Sequence, residues 1–391
     1  MRRLKTNHCS RRRKKKSKDS LNFTGRRFIL LIKELLKLID AEIPFKKAES
    51  WDNVGLLIGD MSSEVTGILT TLDCTLEVVQ EAVDKNCNTI IAHHPLIFSG
   101  IKRIENQGYG AVIHALIKND IQLIAMHTNL DAYDQGVSAM IADKIGLTKQ
   151  QILLPAEREM AKLQIFVPRE DVESLKQALA QVGVGQIGDY SDCFFQLEGQ
   201  GQFRPNASAS PYIGTSNQLE VVEEMKLECV FDPHLQKKVE ETIHSAHPYE
   251  EPAYDIYRFH ATDQFGTGIR GELASSVSVK EWLTSVKEQL NIETLRLIGD
   301  SSKMIRTVGI ISGAGVSYMK EVAATGVDLF LTGDIKYHEA HDLLMAGLLT
   351  ADIEHYSEQV MIEGLKELLQ SFDSKLNVHA SEQSTNPFKA I

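Results

Sequence analysis

From Phe28 onward the apolar positions recur at helical spacing over longer stretches and in short continuous or alternating runs between them. The spacing predicts an amphipathic helix over Ile29–Ile39, a strand at Val65–Leu72, a helix at Leu76–Asn86 and a strand at Thr89–Ala92. A helix at Ala111–Asn119, a strand at Gln122–Met126 and a helix at Val137–Ile145 continue the rhythm. Such β-α-β-α order predicts strands buried beneath helices on both faces of a sheet.

After Pro155 the order changes to a strand (Lys162–Val167), a helix (Val172–Val182), two strands (Cys193–Leu197 and Glu220–Phe231), a helix (Leu235–His244) and a strand (Tyr254–Phe259). That is the ferredoxin-like order. The polar stretch Gly199–Asn217 is long for a hairpin connection and predicts a mobile loop. Past Gly266 the first rhythm returns, with strands near Thr307–Ser312, Asp328–Thr332 and Leu349–Ile353. The expected fold class is therefore α/β: one larger α/β domain, residues 28–157 and 263–391, split by an inserted ferredoxin-like α+β domain, residues 158–262.

A length of 391 residues predicts two or three domains, and 43% hydrophobic with 24% charged residues is a globular composition. The net charge of −11 hides a split: residues 1–27 hold twelve Lys and Arg against one acid, Asp19, leaving the rest with 30 basic and 52 acidic residues, a net of −22. An acidic body of that kind argues against general binding to nucleic acid. The basic arm, RRRKKKSK at 11–18, could bind nucleic acid or an acidic membrane surface. It reads more simply as a disordered tail or as upstream sequence from a mis-assigned start. The apolar run Phe28–Ile32 is cut off by Lys33 and Glu34, too short for a membrane span or a signal-peptide core. Five cysteines without a C-x-x-C pair suggest neither a disulfide framework nor a thiolate zinc site, which fits a reducing cytoplasm.

Three strands far apart in sequence run directly into metal-ligating side chains: TIIAHHP, LIAMHTNLD and LLTADIEHYSE. Ligands of open α/β sheets gather beyond the carboxyl ends of strands, so such ends can converge on one crevice. His93 and His94 can share a site only where their strand has ended, and Pro95 supports that break. His355 and Glu358 stand three apart, on one side of a helical turn. His93, His94, Asp131, His355 and Glu358 suit two divalent ions better than one, zinc foremost, with iron, manganese or nickel as alternatives. Glu358 can bridge them.

His127 and Asp334 stand at similar strand ends and are candidates for orienting metal-bound imidazoles from behind, or for a turn role. His338 and His341 in YHEAH are expected at the crevice rim or in water. Gly313-Ala314-Gly315 could hold an anion on its backbone amides, although a tight turn explains it equally well. The dinucleotide fingerprint and the nucleophile elbow are both missing. HPYEEPAYDIY at 247–257 reads as a turn packed by Tyr249 and Tyr254, with a small pocket as the alternative.

AESWDNVGLLIGD at 48–60, HHPLIF at 93–98, MHTNLD at 126–131, LTGDIKYHEA at 331–340 and HYSE at 355–358 together resemble the Nif-three-like family, whose members are often labelled GTP cyclohydrolase I type 2 homologues. The likeness runs from about Phe28 to the C-terminus and has no counterpart for residues 1–27. It implies a toroidal homohexamer with a dinuclear metal site on His93, His94, Asp131, His355 and Glu358. Through HPYEEPAYDIY it also implies the bacterial subgroup whose insert is similar to CutA and the nitrogen-signalling trimeric proteins. GTP cyclohydrolase activity does not follow from these residues, because purine-ring opening also needs a base-recognition pocket.

Two functions are expected. In the first, a metal-dependent hydrolase acts on a nucleotide-like or cyclic C–N small-molecule substrate, with two ions acidifying water and Glu358 or a nearby histidine moving the proton. In the second, a non-catalytic hexameric metal-binding ring with a ligand-sensing insert acts in regulation or metal handling. No membrane partner is expected, and no nucleic-acid partner apart from the basic arm.

Overall fold

The computed structural model describes residues 30–389. The expectations for residues 1–27 lie outside the described residues. The first helix is Ile32–Glu42, which buries Ile32, Leu35 and Ile39. It begins later than the apolar spacing predicts because Leu31 is still extended, bridging Glu64 and donating its amide to the Glu34 carboxylate at 3.0 Å.

The strands in chain order are β1 (Gly55–Ile58), β2 (Ile68–Thr71), β3 (Thr89–Ala92), β4 (Gln122–Ala125), β5 (Thr148–Pro168), β6 (Phe195–Phe203), β7 (Glu220–Phe231), β8 (Tyr254–Ser278), β9 (Arg296–Ile298), β10 (Met304–Ile310), β11 (Leu329–Thr332), β12 (Thr350–Asp352) and β13 (Val378–Ala380). They form two sheets, ordered β1-β4-β3-β2-β13 and β6-β7-β5-β8-β10-β11-β12-β9. The strands before and after the middle segment are divided between these two sheets. A single apolar cluster joins Ile68, Ile91 and Ile124 of the first sheet to Ile305, Val308 and Leu331 of the second. Helices Val137–Lys144, Val279–Gln289 and Val360–Phe372 contribute Ile141, Leu283 and Leu365 to the same cluster.

β5 and β8 are far longer than the short strands their sequences suggest. They pair antiparallel from Thr148 opposite Glu272 to Ile165 opposite Tyr254, with a register shift between Pro155 and Glu157. Gly266 lies opposite Pro155, and a Cβ there would stand 2.4 Å from the Leu154 carbonyl oxygen. Proline and glycine thus interrupt the sequence pattern at a close crossing without ending the pairing. The expected loop from Gly199 also starts later, because Gly199–Phe203 continue β6 against β7.

In the middle segment β6-β7-β5-β8 are all antiparallel, and helices Val172–Gln181 and Gln236–Ala246 pack on them around a separate core that includes Leu163, Ile165, Leu175, Leu227 and Val239. β2-β3-β4 are parallel within the first sheet, and β10-β11-β12 within the second. No helix among the described residues is long and apolar enough to cross a membrane.

Candidate metal centre

The carboxyl ends of these two parallel trios face each other, and the chemistry-bearing residues follow them directly. Asp73 comes after β2, His93 and His94 after β3, and His127 to Asp131 after β4; Ser312 comes after β10, Asp334 after β11, and His355 to Glu358 after β12. β3 ends at Ala92, which frees both histidines to turn inward, and their ring centroids are 5.1 Å apart. His355 and Glu358 share the short helical turn His355–Gln359.

Glu358 is the hub. Its Oε2 lies 3.1 Å from His355 Nε2, 3.2 Å from His94 Nε2 and 3.9 Å from His93 Nε2. His94 Nε2 and His355 Nε2 are 3.3 Å apart, and Asp131 Oδ1 lies 3.7 Å from His93 Nε2. Two ligands of a tetrahedral ion with bonds of about 2.0–2.2 Å stand roughly 3.3–3.6 Å apart. The donor spacings bracket that value. Three groups of donors have their ligating atoms within 4.8 Å of one another: His94, His355 and Glu358; His93, Asp131 and Glu358; and His93, His94 and His127.

His93 is fully buried, and its Nδ1 lies 2.8 Å from the Met126 carbonyl oxygen. A carbonyl can only accept, so Nδ1 carries the proton and Nε2 presents a lone pair. That Nε2 has no hydrogen-bond partner and faces two carboxylates. Lone pairs converging in a buried space repel one another, and a cation between them removes the conflict. The donor set therefore fits a metal ion.

The other imidazoles are held from behind by acids. Asp73 Oδ1 lies 2.7 Å from His94 Nδ1, Asp334 Oδ2 2.7 Å from His355 Nδ1, and Asp52 Oδ1 2.9 Å from His127 Nδ1. Ser312 Oγ donates to Asp131 at 3.2 Å. Burial pulls the His94 imidazole down, but hydrogen bonds to Asp73 and Glu358 outweigh it and raise its pKa to about 10. The Glu358 hydrogen bond, against burial, lifts His355 to about 9. Burial pulls His93 down to about 4, and burial followed by the Glu358 charge pushes Asp131 up to about 7. Glu358 would rise on burial alone, yet His355 and His94 hold it well below the usual carboxylate range.

The structure brings all five predicted donors together. Asp334 stands behind His355, whereas His127 stands beside His93 and His94 as a potential donor, with Asp52 behind it. His338 and His341 are exposed and contact the Tyr337 ring. Asp52 and Asp73 were not singled out as site residues from the sequence. Asp73 stands two residues past the end of its strand, as His94 does, so the strand-end rule could have found it. Gly313 is explained by the site rather than by anion binding: its φ is +59°, and a Cβ there would lie 2.7 Å from Glu358 Oε1. The Gly315 amide is already used, donating to Thr332 Oγ1 at 2.8 Å.

A cavity of about 560 Å³ opens beside His94 and His355, bordered by Asp73, Asp334, Tyr356 and Phe388. Near HPYEEPAYDIY, Tyr249 packs on His247 and donates to Glu224 at 2.8 Å, and a separate cavity of about 730 Å³ lies against Phe203, Tyr212 and Tyr249.

A family model described as Duf34/NIF3 (NGG1p interacting factor 3) matches residues 30–387. A Staphylococcus aureus protein named GTP cyclohydrolase 1 type 2 homolog is 44% identical over 364 residues, covering 92% of this chain and all of that protein. The crystal structure of Staphylococcus aureus protein SA1388 aligns with a TM-score of 0.84 at 40% identity, over 93% of this chain and 99% of that one. A Bacillus cereus protein related to NIF3 aligns with a TM-score of 0.75 at 38% identity, over 93% and 99%.

Proposed function

The chain belongs to the Duf34/NIF3 family, and on that premise we propose that it binds two divalent metal ions per subunit and uses them as a hydrolase on a nucleotide-like or cyclic C–N small molecule. One observation carries the proposal. Glu358 belongs to two donor groups at once, one with His94 and His355 and one with His93 and Asp131. A carboxylate is the ligand type that can bridge two ions, and the mixed imidazole and carboxylate set suits zinc foremost, then iron, manganese or nickel.

When bound, the ions supply Lewis acidity and with it a water acidic enough to react near neutral pH. The protein's own part is orientation and proton movement. Asp73 and Asp334 fix the ring planes of His94 and His355, the usual arrangement behind metal-bound imidazole. Glu358 or a neighbouring imidazole moves the proton. Arg296 and Lys389 are the cations bordering the adjacent cavity, against Asp73, Glu293, Asp334, Asp352 and Glu354. Arg296 is already paired with Asp352. This excess of carboxylates would offset the charge of the two bound ions. The test is metal-restored protein incubated with a metabolite extract: a depleted compound that Glu358→Ala spares supports the reading, and equal depletion by that variant sinks it.

The second reading is a non-catalytic metal-binding ring. The exposed apolar surface beside the site favours assembly: Trp51, Phe98, Ile101 and Ile104 are all exposed, and Trp51 packs on Phe98 with centroids 5.8 Å apart. On this proposal a second copy covers that surface in a homohexamer. Light scattering would then give about six times the 43.6 kDa chain mass, and a monomer mass would refute it. We also propose that residues 158–262 are an inserted ferredoxin-like unit, which their separate core supports.

A further inference from the structure

We propose that the C-terminal segment Ser381–Lys389 is a working arm of the metal site, in which Thr385 is a positioning residue that fixes His94 through Asp73. The inference rests on the metal-site reading above. It starts from topology. β13 runs parallel to β2, Val378 opposite Ile68 and Ala380 opposite Thr70, and the Ser381 amide extends the ladder by donating to the Thr70 carbonyl at 2.9 Å. A parallel neighbour leaves the sheet at the same end as its partner, so the segment emerges where β2 delivers Asp73.

The arm is anchored on both sides of the crevice. Glu81, only 7% exposed, accepts the Ser381 hydroxyl at 2.6 Å and the Glu382 amide at 2.9 Å, and it pairs with Lys85 at 2.7 Å. Lys85 also reaches Glu382 at 3.0 Å. Across the crevice, Ser384 Oγ lies 3.1 Å from the hydroxyl of Tyr356, the residue next to His355. The segment is thus tied to the helix Leu76–Asp84 by Glu81 and to the His355 turn by Tyr356.

Directly after these anchors Thr385 Oγ1 donates to Asp73 Oδ2 at 2.7 Å, while Asp73 Oδ1 accepts from His94 Nδ1 at 2.7 Å. The two carboxylate oxygens are engaged by different elements, so the carboxylate plane cannot rotate without breaking one bond. Without the Thr385 bond, Asp73 can turn about its side-chain torsions and carry the His94 ring with it. Asn386, Pro387 and Phe388 then border the same cavity as His94 and His355, and the Phe388 ring is 80% exposed. A large apolar ring left that exposed contributes little to the core.

The experiment measures zinc affinity of the full chain by competition with a chromogenic chelator, for the wild type, Thr385→Val and Thr385→Ser. Removing the group directly behind a metal-bound histidine typically weakens metal binding by about 10- to 100-fold, and Thr385 is one bond further out. Thr385→Val is therefore expected to bind zinc about 3- to 10-fold more weakly. Thr385→Ser, which keeps the hydroxyl, should stay within about twofold of wild type, and the metal-free melting temperatures of all three should agree. Truncation after Ala380 should weaken zinc binding at least as much as Thr385→Val; should it fail to fold, the valine and serine pair still decides. Equal affinity for Thr385→Val and wild type overturns the arm while leaving the metal site standing, as does a serine variant as weak as the valine. A wild type that binds no zinc overturns the metal-site reading itself, and this inference with it.

Discussion

Gly313→Ala changes a residue with no metal-ligating atom and should nonetheless damage metal binding. Gly313 has φ +59°, so an alanine there pays a left-handed backbone penalty of about 1–2 kcal/mol. The new Cβ would also lie 2.7 Å from Glu358 Oε1, where ordinary contact begins at 3.4 Å, so the two atoms must separate by about 0.7 Å. Glu358 is 2% exposed, and its other oxygen is held 3.1 Å from His355 and 3.2 Å from His94. Turning the carboxylate away from the methyl group therefore moves Oε2 off both imidazoles. Functional constellations tolerate misplacement of only about 0.5 Å, so the shift should weaken zinc binding roughly 10- to 100-fold. Gly347→Ala is the control, because Gly347 has φ +71° and nothing within 4 Å of an added Cβ. Chelator competition and denaturant unfolding on both variants separate the two effects. A similar backbone cost is expected in each, with loss of zinc affinity in Gly313→Ala alone. Wild-type zinc affinity in Gly313→Ala would refute the reasoning.

Burial would raise the Glu81 carboxyl, but Lys85, Ser381 and the Glu382 amide hold it below its usual value of 4.5. Its folded-state pKa is thus depressed, so its contribution is present above about pH 4.5 and fades as pH falls through the folded value. The protection factor of the Glu382 amide, its exchange rate relative to the intrinsic rate at the same pH, should fall on acidification, and Glu81→Gln should remove that dependence; a pH-independent protection factor in the wild type would count against the anchor. Ile165→Ala, in the separate core of the middle segment, should cost about 2–5 kcal/mol yet leave zinc binding intact. Loss of zinc in that variant would argue against an independently packed unit. Burial pushes the Cys74 and Cys229 thiols up to about 12 and also raises Cys87. Maleimide labelling of native protein, mapped by mass spectrometry, should reach Cys193 ahead of these three, and faster labelling of Cys74 would contradict the packing.

The donor cluster was legible because it depends on a rule that acts locally. Short buried parallel strands such as TIIA and QLIA are easy to see, and polar ligating residues placed directly after β3 and β4 point into the crevice beyond their ends. Asp73 obeys the same rule but stands alone without a histidine beside it, so nothing in its composition drew attention. β1, β9 and β13 were not seen because GLLI, RLI and VHA are too short to show a period. The division into two sheets could not be read either. A strand's own sequence specifies which faces are apolar, not which neighbour it pairs with, and here both halves contribute to one core between the sheets. The same limit hid the arm, since Thr385 and Asp73 are joined only by the pairing of β13 with β2.

The central claim is that Glu358 joins two ion sites in one chain. Elemental analysis of purified protein, stripped with chelator and reloaded with excess zinc, counts the ions directly. The account predicts about two zinc ions per chain for the wild type and at most one for Glu358→Gln, the isosteric change that removes the bridging charge. A wild type holding no zinc, or a Glu358→Gln protein that still holds two, would contradict it.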